Sequence, residues 1–231
     1  MTGPRQLILN LEHRPALTGD DFLVAGSNRE AVAWLDRWPD WPSPALVLHG
    51  PAGCGKTHLV RMFLSQTHGR LFTGSEIATR DIADLLEDYP AYAIDDADAL
   101  VGDGPETALF HLYNMVREQG RHMLLTGRES PSRWPLRLAD LRSRLRAAPS
   151  VGLGVPDDAM IRAVLVKLFG DRQVRIDEDV VSYLFLRMER SFDAARRLVA
   201  RIDEEALRQQ RKVTPQLVRD VLNRDDGGRE S

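Results

Sequence analysis

The chain has 231 residues, 43% of them hydrophobic and 28% charged, with a formal net charge of −3. That length suits one domain with a small appendage or two small domains. The composition excludes a disordered chain, and the charge excludes a strong overall field toward nucleic acid or anionic lipid, leaving room only for a local basic patch.

The single cysteine, Cys54, excludes an intramolecular disulfide framework and fits a reducing compartment. The N-terminal stretch MTGPRQLILNLEHRP lacks the apolar core and cleavage site of a signal peptide. No apolar run approaches the roughly 20 residues that span a bilayer. A cytoplasmic protein with no membrane partner is expected.

In chain order, residues 1–20 read as a proline-containing tail with one apolar alternation. Residues 21–154 alternate short apolar runs with helical patterns, which predicts βαβ units around a parallel sheet. The predicted strands are Ala45 to Leu48, Arg70 to Thr73, Ala91 to Ile94, His122 to Thr126 and Ser150 to Leu153. Continuous apolar runs such as Ala45-Leu46-Val47-Leu48 suit strands buried on both faces. The predicted helices between them are Lys56 to Gln66, Ile77 to Glu87 and Pro105 to Glu118. The last has Leu109, Leu112, Tyr113 and Val116 on one side.

Residues 155–223 read as helices alone, forming a small lid-like bundle. Pro156 with Asp157 and Asp158 opens the first. Asp177 opens a second, striped by Val180, Val181, Leu184, Phe185 and Met188. Ser191 caps a third, with Ala195, Leu198, Val199 and Ile202 on one side, and Thr214-Pro215 starts the last. Residues 224–231 are polar and are expected to be a disordered end.

The densest chemistry lies in Gly50-Pro51-Ala52-Gly53-Cys54-Gly55-Lys56-Thr57, which matches the P-loop pattern G-x-x-x-x-G-K-[ST] between a predicted strand and a predicted helix. Glycines let the backbone wrap so that its N–H groups point at phosphate oxygens. Lys56 would reach the β- and γ-phosphates, and the Thr57 hydroxyl would ligate Mg²⁺. The helix that follows turns its positive end to the same anion. ADP or ATP with Mg²⁺ is the expected cofactor. Cys54 is a small filler, with no base nearby to make it a nucleophile.

Asp95 and Asp96 close the run Ala91 to Ile94, about 40 residues after the P-loop. One carboxylate there can hold Mg²⁺ (Asp95) and its neighbour can polarise an attacking water (Asp96). Two readings of Thr126 stand level: a plain strand-end threonine, or a side chain touching the γ-phosphate. The segment Leu138 to Arg146 is helix-like with several arginines. From spacing alone it reads as a solvated basic face, although one of them could act as an arginine finger on a neighbour's nucleotide. Trp34, Trp38, Trp41 and Trp134 read as packing or surface anchors, and the six histidines show no metal-ligand grouping.

These residues carry a likeness. Gly50 to Thr57 continuing into His58-Leu59, Phe22 to Asn28, Ile94-Asp95-Asp96 and Ser143-Arg144-Leu145 resemble the DnaA-related AAA+ family over roughly residues 20–223. No DnaA-like helix-turn-helix segment is read in these 231 residues. Its tail instead contains Gln6-Leu7-Ile8-Leu9-Asn10-Leu11, similar to the Q-L-x-L-x-L motif that docks on the DNA polymerase sliding clamp (the β subunit). Leu7, Leu9 and Leu11 alternate, so an extended segment presents them on one side to an apolar cleft while Gln6 bonds at its edge. Within the family this combination resembles the Hda branch, the regulatory inactivators of DnaA.

The resemblance implies an AAA+ P-loop module with a parallel sheet flanked by helices, followed by an all-helical lid. It implies nucleotide contacts from Gly50 through His58 and from Thr126, the latter in the role called sensor 1. It also implies an arginine finger at Arg144 acting in trans. The implied partners are the sliding clamp and DnaA, with DNA reached only through the clamp; a homodimer or homo-oligomer stays open. One departure stands out: Asp193 takes the position of the family's sensor 2 arginine, and a carboxylate there would repel phosphate. Arg190, Arg196 or Arg197 could substitute from a neighbouring turn. Weak or absent intrinsic ATPase is therefore expected. The competing reading is an autonomous AAA+ ATPase such as a helicase loader or clamp-loader-like subunit.

Overall fold

The computed structural model describes residues 12–14, 22–79, 89–174 and 176–226. Two compact units emerge: His13–Gly154, and a second that takes in the chain from Val155 onward.

The first unit opens with a two-stranded ribbon of β1 (Glu12–Arg14) and β2 (Phe22–Val24), and then α1 (Arg29–Leu35). Residues 12–14 thus form a strand within the stretch read as tail; three residues are too few for a period-2 pattern to register. There follow β3 (Ala45–His49), α2 (Lys56–Thr67), β4 (Arg70–Phe72), α3 (Gly74–Thr79), β5 (Ala91–Ile94), α4 (Asp103–Glu118), β6 (His122–Gly127), α5 (Ala139–Ala147) and β7 (Ser150–Gly152). The sheet order is β4-β5-β6-β3-β7, and every pairing is parallel. Of the predicted helix Ile77 to Glu87, residues 80–87 lie outside the described residues.

The apolar runs are continuous because each strand feeds two cores. Ala45, Val47, Tyr92, Ile94, Met123 and Leu125 face one, which α4 (Leu109, Leu112, Tyr113, Val116) and α5 (Leu141, Leu145) cover. Leu46, Leu48, Ala91, Ala93 and Leu124 face the other, closed by Ala31, Val32 and Leu35 of α1 and Leu59, Val60 and Phe63 of α2. Alternate side chains point to opposite faces, so burying both faces requires apolar residues at every position. Trp41 stacks on Phe63 at 5.3 Å between ring centroids and donates its indole N–H to Trp34 O at 2.8 Å. Trp134 is likewise buried and donates to Glu129 O at 2.7 Å. Both serve packing.

The second unit holds α6 (Asp158–Asp171), α7 (Glu178–Phe185), α8 (Phe192–Gln209) and α9 (Pro215–Asp226). Ile161, Leu165 and Phe169, Val180 and Leu184, Leu198 and Ile202, and Val218 and Val221 meet in one core. Side chains cap three of these helices: Asp157 accepts from Met160 N–H at 2.7 Å, Ser191 from Ala194 N–H at 3.1 Å and Thr214 from Leu217 N–H at 3.3 Å. Such caps satisfy orphan donors of the first turn. Helix α9 runs to Asp226, three residues past the boundary expected at 223. The apolar stripe ends at Leu222, but backbone hydrogen bonding carries the helix further. No helix among the described residues is long and apolar enough to cross a membrane.

Two imidazoles give an expectation for the pH dependence of stability. His122, edge-on to Trp41 at 5.5 Å, and His49 both sit below their ordinary pKa of 6.5, chiefly through burial. Asp40 opposes the shift at His122; Glu129 opposes it and Lys56 adds to it at His49. Below 6.5 the unfolded chain binds protons that the native state refuses, so stability is full above that pH and falls as pH drops toward the native pKa values. Calorimetry from pH 7.5 to 5.5 is expected to show a falling Tm. His122→Gln is expected to flatten the slope, and an unchanged slope would contradict the assignment.

Candidate nucleotide site

The loop 50–55 leaves the end of β3 and enters α2 at Lys56. Gly53 and Gly55 adopt φ of 72° and 106°, the left-handed region that glycine enters without steric cost. A Cβ on Gly50 would lie 2.5 Å from Leu153 O, so a side chain there would force the loop off β7. Cys54 is buried, its sulfur facing the same glycine.

Lys56 is only 7% exposed, and among the described residues its ammonium bonds backbone carbonyls rather than a carboxylate. Its Nζ donates to Gly50 O at 2.7 Å and to Pro51 O at 3.0 Å. Two loop carbonyls thus aim the ammonium, which has three donors. Thr57 and His58 continue into the first turn of α2.

The Thr57 hydroxyl donates to Asp95 Oδ2 at 2.7 Å, and the Thr126 hydroxyl donates to Asp95 Oδ1 at 2.5 Å. The Asp96 N–H donates to Thr126 Oγ1 at 2.9 Å. Sheet order explains the arrangement. β6 lies between β5 and β3, so its penultimate residue, Thr126, is placed to bridge the acids after β5 and the loop after β3. Thr126 is fully buried and its single proton is committed to Asp95. In this arrangement it braces Asp95, a contact that neither reading from sequence included. Asp96 is exposed, with a left-handed φ of 53°, which costs a non-glycine residue about 1 kcal/mol. This backbone turn separates its carboxylate from that of Asp95.

Among the described residues no three metal-ligating side chains cluster. One hydroxyl and one carboxylate bonded together suit Mg²⁺ that arrives with a nucleotide, since Mg²⁺ usually takes one or two protein oxygens and completes its shell with phosphates and water.

Arg144 sits on α5, half-buried against α4. Its Nη1 donates to Asn114 Oδ1 at 2.6 Å and its Nη2 to Asp140 Oδ2 at 2.7 Å. The guanidinium lies 5.3 Å from the Phe110 ring centroid and 5.6 Å from that of Tyr113. The Asp140 bond raises its already high pKa. Glu106, buried in the first turns of α4, accepts from Leu138 N–H at 2.5 Å just before α5. Arg142 and Arg146 instead donate to backbone oxygens of Leu136 and Ser132.

Comparisons with known proteins bear on the fold and on the C-terminal helices. Residues 157–222 match the family described as "Hda, lid domain". The chain resembles Hda. An uncharacterised protein of Haemophilus influenzae is 27% identical over 193 residues, spanning 80% of this chain and 84% of that one. Domain III of the Thermotoga maritima replication initiation protein DnaA superposes with a TM-score of 0.76 at 17% identity, over 87% of this chain and 93% of that one. AMPPCP-bound DnaA from Aquifex aeolicus gives 0.66 at 16%, over 82% of this chain and 68% of that one. The fold is that of an AAA+ module, with an Hda-type lid at its C-terminal side in sequence.

In this Hda-like chain, Asp193 is exposed in the first turn of α8, where a carboxylate favours the helix dipole. Arg190 pairs with Asp158 at 3.1 Å and lies over Phe185 at 5.3 Å, which occupies one of the three candidate substitutes. Gln6, Leu7, Leu9 and Leu11 lie outside the described residues. Sequence reasoning missed Asn114, Phe110 and Glu106. Only Asp140, four residues before Arg144 on one helix, left a readable signal.

Proposed function

We propose that this chain regulates chromosome replication initiation as an Hda-like adaptor. It holds ADP or ATP, is tethered to the sliding clamp through Gln6-Leu7-Ile8-Leu9-Asn10-Leu11, docks on ATP-bound DnaA, and stimulates hydrolysis of the ATP held by DnaA, preventing re-initiation. The Hda-type lid at residues 157–222 carries this reading.

In its own site the amides of loop 50–55 and the Lys56 ammonium bind the phosphates, with the α2 N-terminus adding positive potential. Thr57 and Asp95 would hold Mg²⁺, which when bound neutralises phosphate charge. Thr126 keeps Asp95 oriented and Asp96 faces water. With Asp193 at the sensor 2 position, this nucleotide serves as a bound effector with little turnover. Arg144 acts on the other protein's nucleotide, stabilising charge that develops on the transferred group. The clamp tether raises the local concentration of the adaptor near replicated DNA to the millimolar range, roughly, without any new contact to DnaA.

The test is to load DnaA with labelled ATP, add this protein and clamp-loaded DNA, and follow hydrolysis with each component omitted in turn. Stimulation that needs all of them is the expected result; DnaA turnover indifferent to this chain would refute the proposal. In the same system, joint replacement of Gln6 and Leu9 by Ala is expected to weaken clamp co-elution at least about tenfold, as loss of two anchoring side chains does, with circular dichroism unchanged. Unchanged co-elution contradicts the tether.

One observation favours a second reading. Lys56, Thr57, Asp95 and Thr126 are assembled within this one chain, as an autonomous ATPase would need.

A further inference from the structure

Arg144 is the best-held of the arginines on its helix, and its two terminal nitrogens are held differently. Nη1 is bonded by a neutral amide, Asn114, reached from α4 across 30 residues of sequence. Nη2 is bonded by a carboxylate, Asp140, one turn back on its own helix. The Asn114 side sits against Phe110 and Tyr113, which belong to or pack on the sheet core. On the opposite side, Asp140 is 57% exposed where Arg144 is 23% exposed. Glu106 ties the start of α5 to the same helix α4, so α4 fixes both the approach of α5 and the guanidinium it carries.

A guanidinium is a rigid planar fork that binds a carboxylate and a phosphate with the same geometry. A carboxylate on one prong is therefore a chemical stand-in for a phosphate oxygen. We propose that Arg144 is delivered by a two-sided cradle: Asn114 is the fixed side that orients the guanidinium, and Asp140 is the exchangeable side that occupies its outward nitrogen until the polyphosphate of a partner's bound nucleotide displaces it. This rests on the reading of Arg144 as a trans-acting finger. Asn114 is then a positioning residue and Asp140 an internal competitor, so their removal has opposite consequences. A purely structural role for both would make the two losses alike.

The exchange is feasible on energetic grounds. A pair four residues apart on a helix, with its carboxylate exposed, is weak, and a nucleoside triphosphate brings several negative charges. The bond to Asn114 is neutral in charge on the acceptor side and offers phosphate no repulsion. Aromatic faces hold the plane of the guanidinium without consuming its N–H donors.

Single-turnover hydrolysis of ATP on DnaA, followed as the concentration of this protein is raised in the presence of clamp-loaded DNA, separates maximal rate from half-saturation. Asn114→Ala is expected to lower the maximal rate about tenfold, the loss of one hydrogen bond to a charged group, with half-saturation and Tm unchanged. Asp140→Asn is expected to raise the rate about two-fold, the removal of one helix pair. On the isolated protein, Asp140→Asn is expected to speed modification of Arg144 by phenylglyoxal, read by peptide mass spectrometry. If Asp140→Asn lowers the rate as Asn114→Ala does, or if both leave it unchanged while Arg144→Ala abolishes it, the cradle is overturned alone. Stimulation surviving Arg144→Ala overturns the finger assignment beneath it, and the cradle with it.

Discussion

Lys56→Ala is expected to weaken ADP and ATP binding by at least about 30-fold, because truncating a buried charged partner of an ion contact costs roughly 2 kcal/mol or more. The side chain is almost wholly buried, and its ammonium is directed by Gly50 O and Pro51 O rather than paired to a carboxylate. An ammonium held by neutral carbonyls keeps its charge available to a phosphate. Its removal leaves only loop amides and the α2 N-terminus to bind the anion. Because no acid among the described residues loses its partner, the fold itself is expected to be little affected. The signature is therefore specific: the ligand-free Tm stays near wild type, while the upward Tm shift that added ADP gives the wild type, as a ligand binding only the native state must, disappears. Calorimetric titration with ADP checks the affinity. An unaltered isotherm contradicts the assignment of the loop to phosphate.

Arg144→Ala is expected to lower stimulation of DnaA-bound ATP hydrolysis by about 10³-fold or more, the scale on which fingers supplied in trans act. Clamp co-elution and binding of the variant's own nucleotide are expected to persist, since the partners of the arginine among the described residues, Asn114, Asp140, Phe110 and Tyr113, include none from loop 50–55, and the proposed tether is a separate segment of sequence. Arg142 and Arg146 are the controls. Each donates to a backbone oxygen rather than resting in a side-chain cradle, and their Ala variants are expected to retain most of the stimulation. The same single-turnover assay reads all three. If Arg146→Ala carries the loss instead, the finger lies two residues further along α5, on a different face.

The parts of the molecule legible in the sequence are those whose logic is local. The P-loop is read from consecutive residues because a wrapped backbone needs glycine at fixed offsets. The strand at Ala45 to Leu48 is read from an unbroken apolar run because each successive side chain enters a different core. The caps Asp157, Ser191 and Thr214 are read because a cap and its helix are neighbours in sequence.

Features that depend on which elements lie side by side were not legible. Thr126 stayed between two roles because strand order, unlike strand position, leaves no periodicity; only with β6 between β5 and β3 does its hydroxyl meet Asp95. Asn114 shows as one polar residue between apolar neighbours, and its bond to Arg144 exists only because α4 and α5 cover the same face of the sheet. The ribbon of Glu12–Arg14 and Phe22–Val24 is too short to show alternation.

The central claim is a division of labour: this chain holds a nucleotide, and turnover occurs on DnaA. Labelling the γ-phosphate in one protein at a time tests it most directly. DnaA loaded with labelled ATP and this protein loaded with unlabelled nucleotide, mixed on clamp-loaded DNA, are expected to release labelled phosphate rapidly, while the reverse labelling releases almost none. Rapid release from this protein's own nucleotide, whether or not DnaA is present, would contradict the account and favour an autonomous ATPase.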